Sequence, residues 1–172
     1  HSSISYDAAR DEIFSDLDNV GGKVECAYTG TWVTTTGIPD SDVMNTEHTW
    51  CRSWGSDSMP ALSDIHHLYP VLMEANSVRS YLSFGDVLEP DWSMGGSSRG
   101  IDAREEKVFE VRPARRGDTA RSMFYFAVRY QMEIYYTQEQ TLRSWHHQDP
   151  PDNRERQRND GIESIQHNRN PF

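Results

Sequence analysis

The sequence lacks the features that mark several large classes of protein. Its 172 residues include only two cysteines, with no internal repeat and no low-complexity tract. No stretch approaches the roughly 20 apolar residues that a membrane-spanning helix needs. The first ten residues are polar and hold no initiator methionine or signal peptide, which is compatible with a mature, exported form. We therefore exclude a membrane-spanning protein and expect a single domain over residues 1–172.

The two cysteines, Cys26 and Cys51, leave two arrangements open. They are either separate buried thiols or partners in one disulfide between positions 25 residues apart. Such a closure would add about 3 kcal/mol in the chain-entropy model, and an exported compartment would favour it. Neither a Cys-x-x-Cys motif nor a Cys/His spacing indicates a zinc site.

Charge of one sign is also scarce in part of the chain. The net charge is −10, and residues 1–50 carry nine acidic side chains against two basic ones. Residues 99–129 reverse the balance, with eight basic side chains against five acidic ones. A local basic strip can bind phosphate even in a negative chain, although such a cluster is more often a solvated face. The candidate nucleic-acid contacts in this segment are Arg112, Arg115, Arg116 and Arg121.

Hydrophobic periodicity predicts an α+β fold dominated by helices. Helices are expected over residues 5–19, 71–82, 119–135, 137–147 and 154–166. Strands are expected over residues 43–50, 64–69 and 107–111, and residues 23–37 are strand or extended loop. The stretches rich in Ser and Gly, 51–63 and 85–106, are expected to be loops. Pro70 is expected to end the second strand, and Asp118 to cap a central, buried helix.

Residues 43–82 carry the side chains that phosphodiester hydrolysis requires. That reaction needs a base to deprotonate water, a cation to neutralise phosphate charge, and a positive group for the transition state. His48 is a candidate base because imidazole titrates near neutral pH. Glu47 and Asn76 offer the oxygen ligands that Mg²⁺ prefers. In a regular strand Glu47 and His48 point to opposite faces, so a twist or bulge is needed to bring both to one cleft.

Several ordered segments resemble the bacterial endonuclease I family, a group of ββα-metal (His-Me finger) nucleases. They extend from the Glu-His motif to the last residue, and together they are far more specific than any single one. The segments are Asn-Thr-Glu-His-Thr-Trp (45–50), Asp-Ile-His-His-Leu-Tyr-Pro (64–70), Glu-Ala-Asn-Ser-Val-Arg-Ser (74–80), Arg-Gly-Asp-Thr-Ala-Arg-Ser-Met-Phe-Tyr (116–125) and Gln-His-Asn-Arg-Asn-Pro-Phe (166–172).

The resemblance implies a mainly helical body with a ββα finger at about residues 43–82. It implies that His48 is the general base and that Glu47 and Asn76 hold one divalent ion, Mg²⁺ or Mn²⁺. An arginine would stabilise the phosphate; Arg52 is the only one in the loop between the strands, with Arg79 and Arg121 as rivals. Family members are exported and degrade DNA, often RNA as well, leaving 5′-phosphate ends. Because Cys51 departs from the family pattern, it could mark the disulfide to Cys26.

Three further residues are expected to support the site from behind. Asp64 would orient a neighbour by hydrogen bonding, and one of His66 and His67 would support the site while the other is structural, although the two histidines could instead bind zinc. Two other function classes stay open at this point. One is a catalytically silent nucleic-acid-binding module, which the intact Glu47, His48 and Asn76 disfavour. The other is an exported interaction domain whose acidic half binds a protein partner. We expect a monomer.

Overall fold

The computed structural model describes residues 2–172, and within them it contains five α-helices and eight β-strands. The helices are α1 (Tyr6–Glu12), α2 (Met73–Arg79), α3 (Arg116–Tyr130), α4 (Tyr136–Gln148) and α5 (Asn153–Gln166). The strands are β1 (Lys23–Glu25), β2 (Trp32–Thr34), β3 (Met44–His48), β4 (Leu68–Leu72), β5 (Ser83–Phe84), β6 (Glu89–Met94), β7 (Ser97–Ile101) and β8 (Lys107–Glu110). The predicted α+β class is confirmed.

The segment that was expected to hold the chemistry forms a ββα unit. Strands β3 and β4 pair antiparallel, with Met44 opposite Leu72 and His48 opposite Leu68. Helix α2 follows β4 directly and packs against both strands. The unit therefore covers residues 44–79, within the predicted range of 43–82. We call it the finger.

The boundaries inside the finger differ from the prediction. The residues expected to begin the second strand form a 3₁₀ turn, Ile65–His67. The strand itself is Leu68–Leu72, and the helix therefore starts at Met73 instead of residue 71. Pro70 does not end β4 but pairs with Thr46 inside it. A two-stranded sheet leaves one edge of each strand outside the ladder, where a missing N–H is tolerated.

The prediction that residues 85–106 form a loop was wrong. It contains β6 and β7, which join β5 and β8 in a four-stranded sheet of order β5-β8-β7-β6. The sequence reads as loop because Gly95 and Gly96 supply the hairpin turn between β6 and β7, with φ values of 59° and 92°. The remaining strands, β1 and β2, pair antiparallel.

Helix α3 is the centre of the molecule, as its apolar sequence predicted. It packs against α4 and against the turn Ile65–His67, and its Met123 and Phe126 are fully buried. The helix begins at Arg116, so the assignment of Asp118 as its N-cap was wrong. Asp118 lies in the first turn instead, where it pairs with the Arg115 side chain at 2.5 Å.

The two cysteines are free thiols, so the disulfide alternative does not hold. The Cys26 sulfur accepts the backbone N–H groups of Thr29 and Leu72, at 3.4 Å and 3.3 Å. The Cys51 sulfur instead contacts Nη1 of Arg79 at 2.5 Å. Each thiol is therefore committed to a different set of neighbours.

No α-helix within residues 2–172 combines the length and the apolar character needed to cross a membrane.

Candidate active site

A cavity of about 510 Å³ lies where the finger meets the N-terminal helix α1. It brings together all five residues predicted to act in catalysis or to bind a metal. These are Glu47, His48, Arg52, Asn76 and Arg79. The other lining residues are Tyr6, Arg10, Asn45, Thr46, Cys51, Ser53, Ser80 and Tyr81. Glu47 and His48 share the cavity although they are neighbours in β3, because His48 is the last residue of that strand.

Glu47 is a buried carboxylate that is held through one of its oxygens. Oε1 accepts a hydrogen bond from the Tyr28 hydroxyl at 2.7 Å and lies 3.2 Å from Nη1 of Arg79. Oε2 takes part in neither contact. Burial raises the pKa of Glu47, although Arg79 and Tyr28 both act to lower it. A nearby cation would therefore favour the ionised form that a metal ligand needs.

Asn76 is oriented by a neighbour on the adjoining strand. Its Nδ2 donates to Oδ1 of Asn45 at 2.6 Å. Asn45 and Glu47 are two residues apart in β3, so their side chains point to the same face of the strand. The bond therefore turns the Asn76 amide toward the face that carries Glu47, and it leaves Oδ1 of Asn76 outside this contact.

His48 is held by a backbone carbonyl and enclosed by two rings. Its Nε2 lies 3.0 Å from the carbonyl oxygen of Leu62. A carbonyl can only accept, so Nε2 carries the proton and Nδ1 keeps its lone pair. The rings of Tyr6 and His67 lie 5.5 Å and 5.2 Å from the His48 ring. Burial, and to a lesser extent the neighbouring His67, lower the pKa of His48 to about 3. The imidazole is therefore neutral at neutral pH.

The three arginines of the cavity have different environments. Arg52 is exposed, and Arg10 of α1 is partly buried. Arg79 is buried and bound from several sides: it pairs with Glu47 and donates to the carbonyl oxygen of Thr49 at 2.7 Å. Arg79 is thus engaged in holding the site together, whereas Arg52 is open to a ligand. The Arg10 side chain is 21% exposed and lies 3.7 Å from the exposed carboxylate of Asp7.

Only one of the three expected supporting residues touches the site side chains. His67 packs its ring on His48, and its Nε2 binds the carbonyl oxygen of Ala61 at 2.7 Å. Asp64 accepts hydrogen bonds from the hydroxyls of Tyr125 and Tyr130, both at 2.8 Å. His66 binds the backbone oxygen of Asn168 at 3.1 Å. Asp64 and His66 therefore join the finger to α3 and to the C-terminal segment rather than to the cavity.

The four arginines of the predicted basic strip are engaged by carboxylates. Arg112 and Arg115 pair with Glu25 at 2.8 Å and 2.9 Å. Arg116 pairs with Glu110, and Arg121 pairs with Glu155 at 2.5 Å. At most 18% of any of these four side chains is exposed, so the strip does not offer free cations to a phosphate backbone. Their role in nucleic-acid binding stays a prediction that this geometry does not favour.

Three residues of the site gave no signal in the sequence. Tyr28 is a buried residue before β2 that reaches Glu47 across 19 positions of chain. Tyr6 and Arg10 come from α1, where their spacing indicated only an amphipathic helix. Such residues are identified by position in space, because tyrosine and arginine are common on helices and strands of every kind.

The donor set of the cavity fits a hard cation with few protein ligands. Among residues 2–172 no group of three or more His, Cys, Asp or Glu side chains is placed to hold a metal, which disfavours a closed zinc site. One carboxylate oxygen of Glu47 and one amide oxygen of Asn76 remain. Mg²⁺ is usually bound by one or two carboxylates, water and substrate phosphate, and this pair is compatible with such a site.

Comparison with known proteins agrees with the motifs. Residues 4–172 match the family model described as Endonuclease I. The chain is 36% identical over 149 residues to an extracellular ribonuclease of Bacillus subtilis (strain 168), an alignment that covers 74% of this chain and 50% of the relative. It is 30% identical over 109 residues to a periplasmic deoxyribonuclease of Aeromonas hydrophila, covering 63% and 46%. The chain thus spans about half the length of the curated relatives it matches.

Proposed function

The chain belongs to the endonuclease I family, and from that premise we propose that it is a metal-dependent endonuclease with little sequence preference, cutting DNA and also RNA. The observation that carries the proposal is the shared cavity of Glu47, His48 and Asn76. Residues that merely stabilised the fold would not need to converge on solvent-accessible space. Because the chain covers half of its relatives' length, the activity is proposed for this domain.

Glu47 and Asn76 would hold the divalent ion, Mg²⁺ or Mn²⁺. Oε2 of Glu47 and Oδ1 of Asn76 are the donor atoms left outside the contacts with Tyr28, Arg79 and Asn45. The bound ion would neutralise charge on the phosphate and on the leaving oxygen. The Tyr28 and Arg79 contacts keep the carboxylate in one orientation before any ion arrives.

His48 would act as the general base. With Nε2–H donated to Leu62, the free lone pair is on Nδ1, and burial keeps the ring neutral. Nδ1 takes a proton from water as the water oxygen attacks phosphorus, and the bond from phosphorus to the 3′ oxygen breaks. The phosphate stays on the 5′ side, so the products carry 5′-phosphate ends. Solvent supplies the proton that the departing 3′ oxygen needs.

Arg52 and Arg10 would bind the phosphate from the open side of the cavity. Both side chains reach solvent, in contrast to Arg79, whose guanidinium is bound by Glu47 and by backbone carbonyls. Contacts to phosphate carry no sequence information, which agrees with a nuclease of low sequence preference. The expectation of a monomer stays a prediction.

Two named relatives are an extracellular ribonuclease and a periplasmic deoxyribonuclease. We extend both properties to this chain as proposals: it acts outside the cytoplasm, and its substrates include both nucleic acids.

Nicking of supercoiled plasmid tests the proposal. Glu47→Ala, His48→Ala and removal of divalent ions with EDTA should each reduce nicking by at least about 100-fold, since each removes a group that the transition state requires. The matched control is Glu105→Ala, an exposed carboxylate outside the cavity, which should nick at the wild-type rate. Near wild-type nicking by the His48 variant would contradict the base assignment. DNA binding without cleavage by the wild-type protein would indicate a silent binding module instead.

A further inference from the structure

Tyr81 is an exposed aromatic residue at the rim of the active-site cavity. It lines the cavity, yet 68% of the residue is exposed. Tyr6, the other aromatic lining residue, is partly buried and packs its ring on His48. Within the described range, 2–172, the Tyr81 side chain makes neither a hydrogen bond nor a ring contact. A large ring left in water next to a reactive site is available for a ligand.

The backbone at Tyr81 is held firmly by the site itself. Ser80, immediately before it, has φ 50° and ψ −121°, a region that residues other than glycine rarely occupy. Its N–H donates to the carbonyl oxygen of Asn76 at 2.8 Å, and its own carbonyl accepts from Nη1 of Arg79 at 3.2 Å. Strain of this kind persists only where surrounding contacts enforce it. Tyr81 is therefore fixed close to the end of the helix that carries Asn76.

The rest of the rim offers positive charge. Arg52 lines the same cavity and is exposed, and Arg10 lines it with a side chain that is 21% exposed and contacts Asp7 at 3.7 Å, while the chain as a whole carries −10. A positive opening on a negative protein attracts a polyanion at this one place. The rim thus combines an exposed aromatic face with cations that suit phosphates, which is the pairing found in proteins that bind single-stranded nucleic acid.

We infer that Tyr81 is a stacking platform for an unpaired base next to the scissile phosphate, so that the site favours single-stranded nucleic acid. The inference rests on the proposed nuclease function and specifies its substrate. A tyrosine ring stacks on any base face, which adds affinity without sequence preference. Bases in a duplex are already stacked on each other, so only the backbone remains for Arg10 and Arg52.

Cleavage of one labelled oligodeoxynucleotide, single-stranded and as a duplex, tests this inference. Tyr81→Ala should lower kcat/KM on the single strand at least about fivefold, the smallest effect expected from loss of one base–aromatic stack. The duplex should be cut within twofold of the wild-type rate. Tyr81→Phe keeps the ring and should retain the wild-type preference. Tyr136→Ala removes a ring that is 70% exposed outside the cavity, and it should change neither substrate.

Binding of the same oligonucleotides is measured in EDTA by fluorescence anisotropy. A fivefold weaker Kd of Tyr81→Ala for the single strand alone supports stacking, whether or not the protein cleaves. Equal effects on both substrates, or no effect on either, overturn the inference. A wild-type protein that binds but cuts neither substrate contradicts the proposed nuclease function, and the binding comparison still decides the role of Tyr81.

Discussion

At the residue scale, the site depends on a carboxylate whose two oxygens have different surroundings. Oε1 of Glu47 is held by the Tyr28 hydroxyl and by Arg79, and Oε2 is outside both contacts. Hydrogen bonds behind a ligand fix its orientation, so their loss weakens metal binding without removing a ligand. We therefore propose that Tyr28 is a positioning residue, and its contribution should appear in metal affinity.

Tyr28→Phe should raise the Mg²⁺ concentration needed for half-maximal nicking about tenfold, in line with the usual cost of losing a group behind a metal ligand. The nicking rate at saturating Mg²⁺ should change much less. The measurement is a Mg²⁺ titration of plasmid nicking, together with the Mg²⁺-dependent rise in melting temperature. Tyr125→Phe is a matched control, since it removes a buried hydroxyl that binds Asp64 outside the cavity. If the Tyr28 variant needed no more Mg²⁺ than the wild type, Tyr28 would not be a positioning residue.

At the element scale, the β6–β7 hairpin shows why a glycine-rich stretch is not always a loop. Gly95 has φ 59°, and a Cβ at this position would lie 1.9 Å from the carbonyl oxygen of Thr29. The turn is therefore pressed against the segment that carries Tyr28. Its backbone also receives support nearby, because the Ser97 hydroxyl donates to the carbonyl oxygen of Tyr28 at 2.6 Å. The hairpin consequently braces one wall behind Glu47.

Gly95→Ala should lower the free energy of unfolding by at least about 2 kcal/mol more than Gly21→Ala does. Gly21 is a matched control because its φ is 60° but nothing lies within 4 Å of the added Cβ. Both variants bear the conformational cost of a positive φ, and only the first adds a clash with backbone. Urea unfolding of the two variants gives the comparison. Equal destabilisation would mean that the hairpin can move away from Thr29 at little cost.

At the scale of the whole molecule, most of the basic residues take part in ion pairs. Glu25 of β1 receives Arg112, Arg115 and, from α5, Arg154, at distances of 2.5–2.9 Å. These contacts join β1 to the start of α3 and to the last helix. They lower the pKa of Glu25 to about 2 even though burial acts to raise it. Most arginines thereby contribute to cohesion of the fold, including Arg10, which contacts Asp7 at 3.7 Å, whereas Arg52 at the cavity rim is exposed and is proposed to bind the substrate.

Glu25→Gln should destabilise the protein by ~1–3 kcal/mol at pH 7, a range reduced for partial exposure to solvent. A carboxylate whose pKa is lowered in the folded state stabilises the fold at pH values above its ordinary pKa of 4.5. That stability is lost as the pH falls toward about 2, so the gap between variant and wild type should close over this window. Unfolding at pH 7, 4 and 2.5 measures it, with Asp91→Asn as an exposed control. A gap independent of pH would exclude this linkage.

The sequence by itself predicted the α+β class from periodicity. Its resemblance to the family implied the finger at about residues 43–82 and a site at Glu47, His48 and Asn76, whose roles stay predictions. These features are local, because the members of each motif lie within 30 residues of each other. Only the tertiary structure decided that Arg112 and Arg121 pair with carboxylates, that Cys26 and Cys51 stay apart, and that residues 85–106 form a hairpin. Those outcomes depend on contacts between distant segments. Charge or glycine content along the chain does not reveal which partner a side chain will meet.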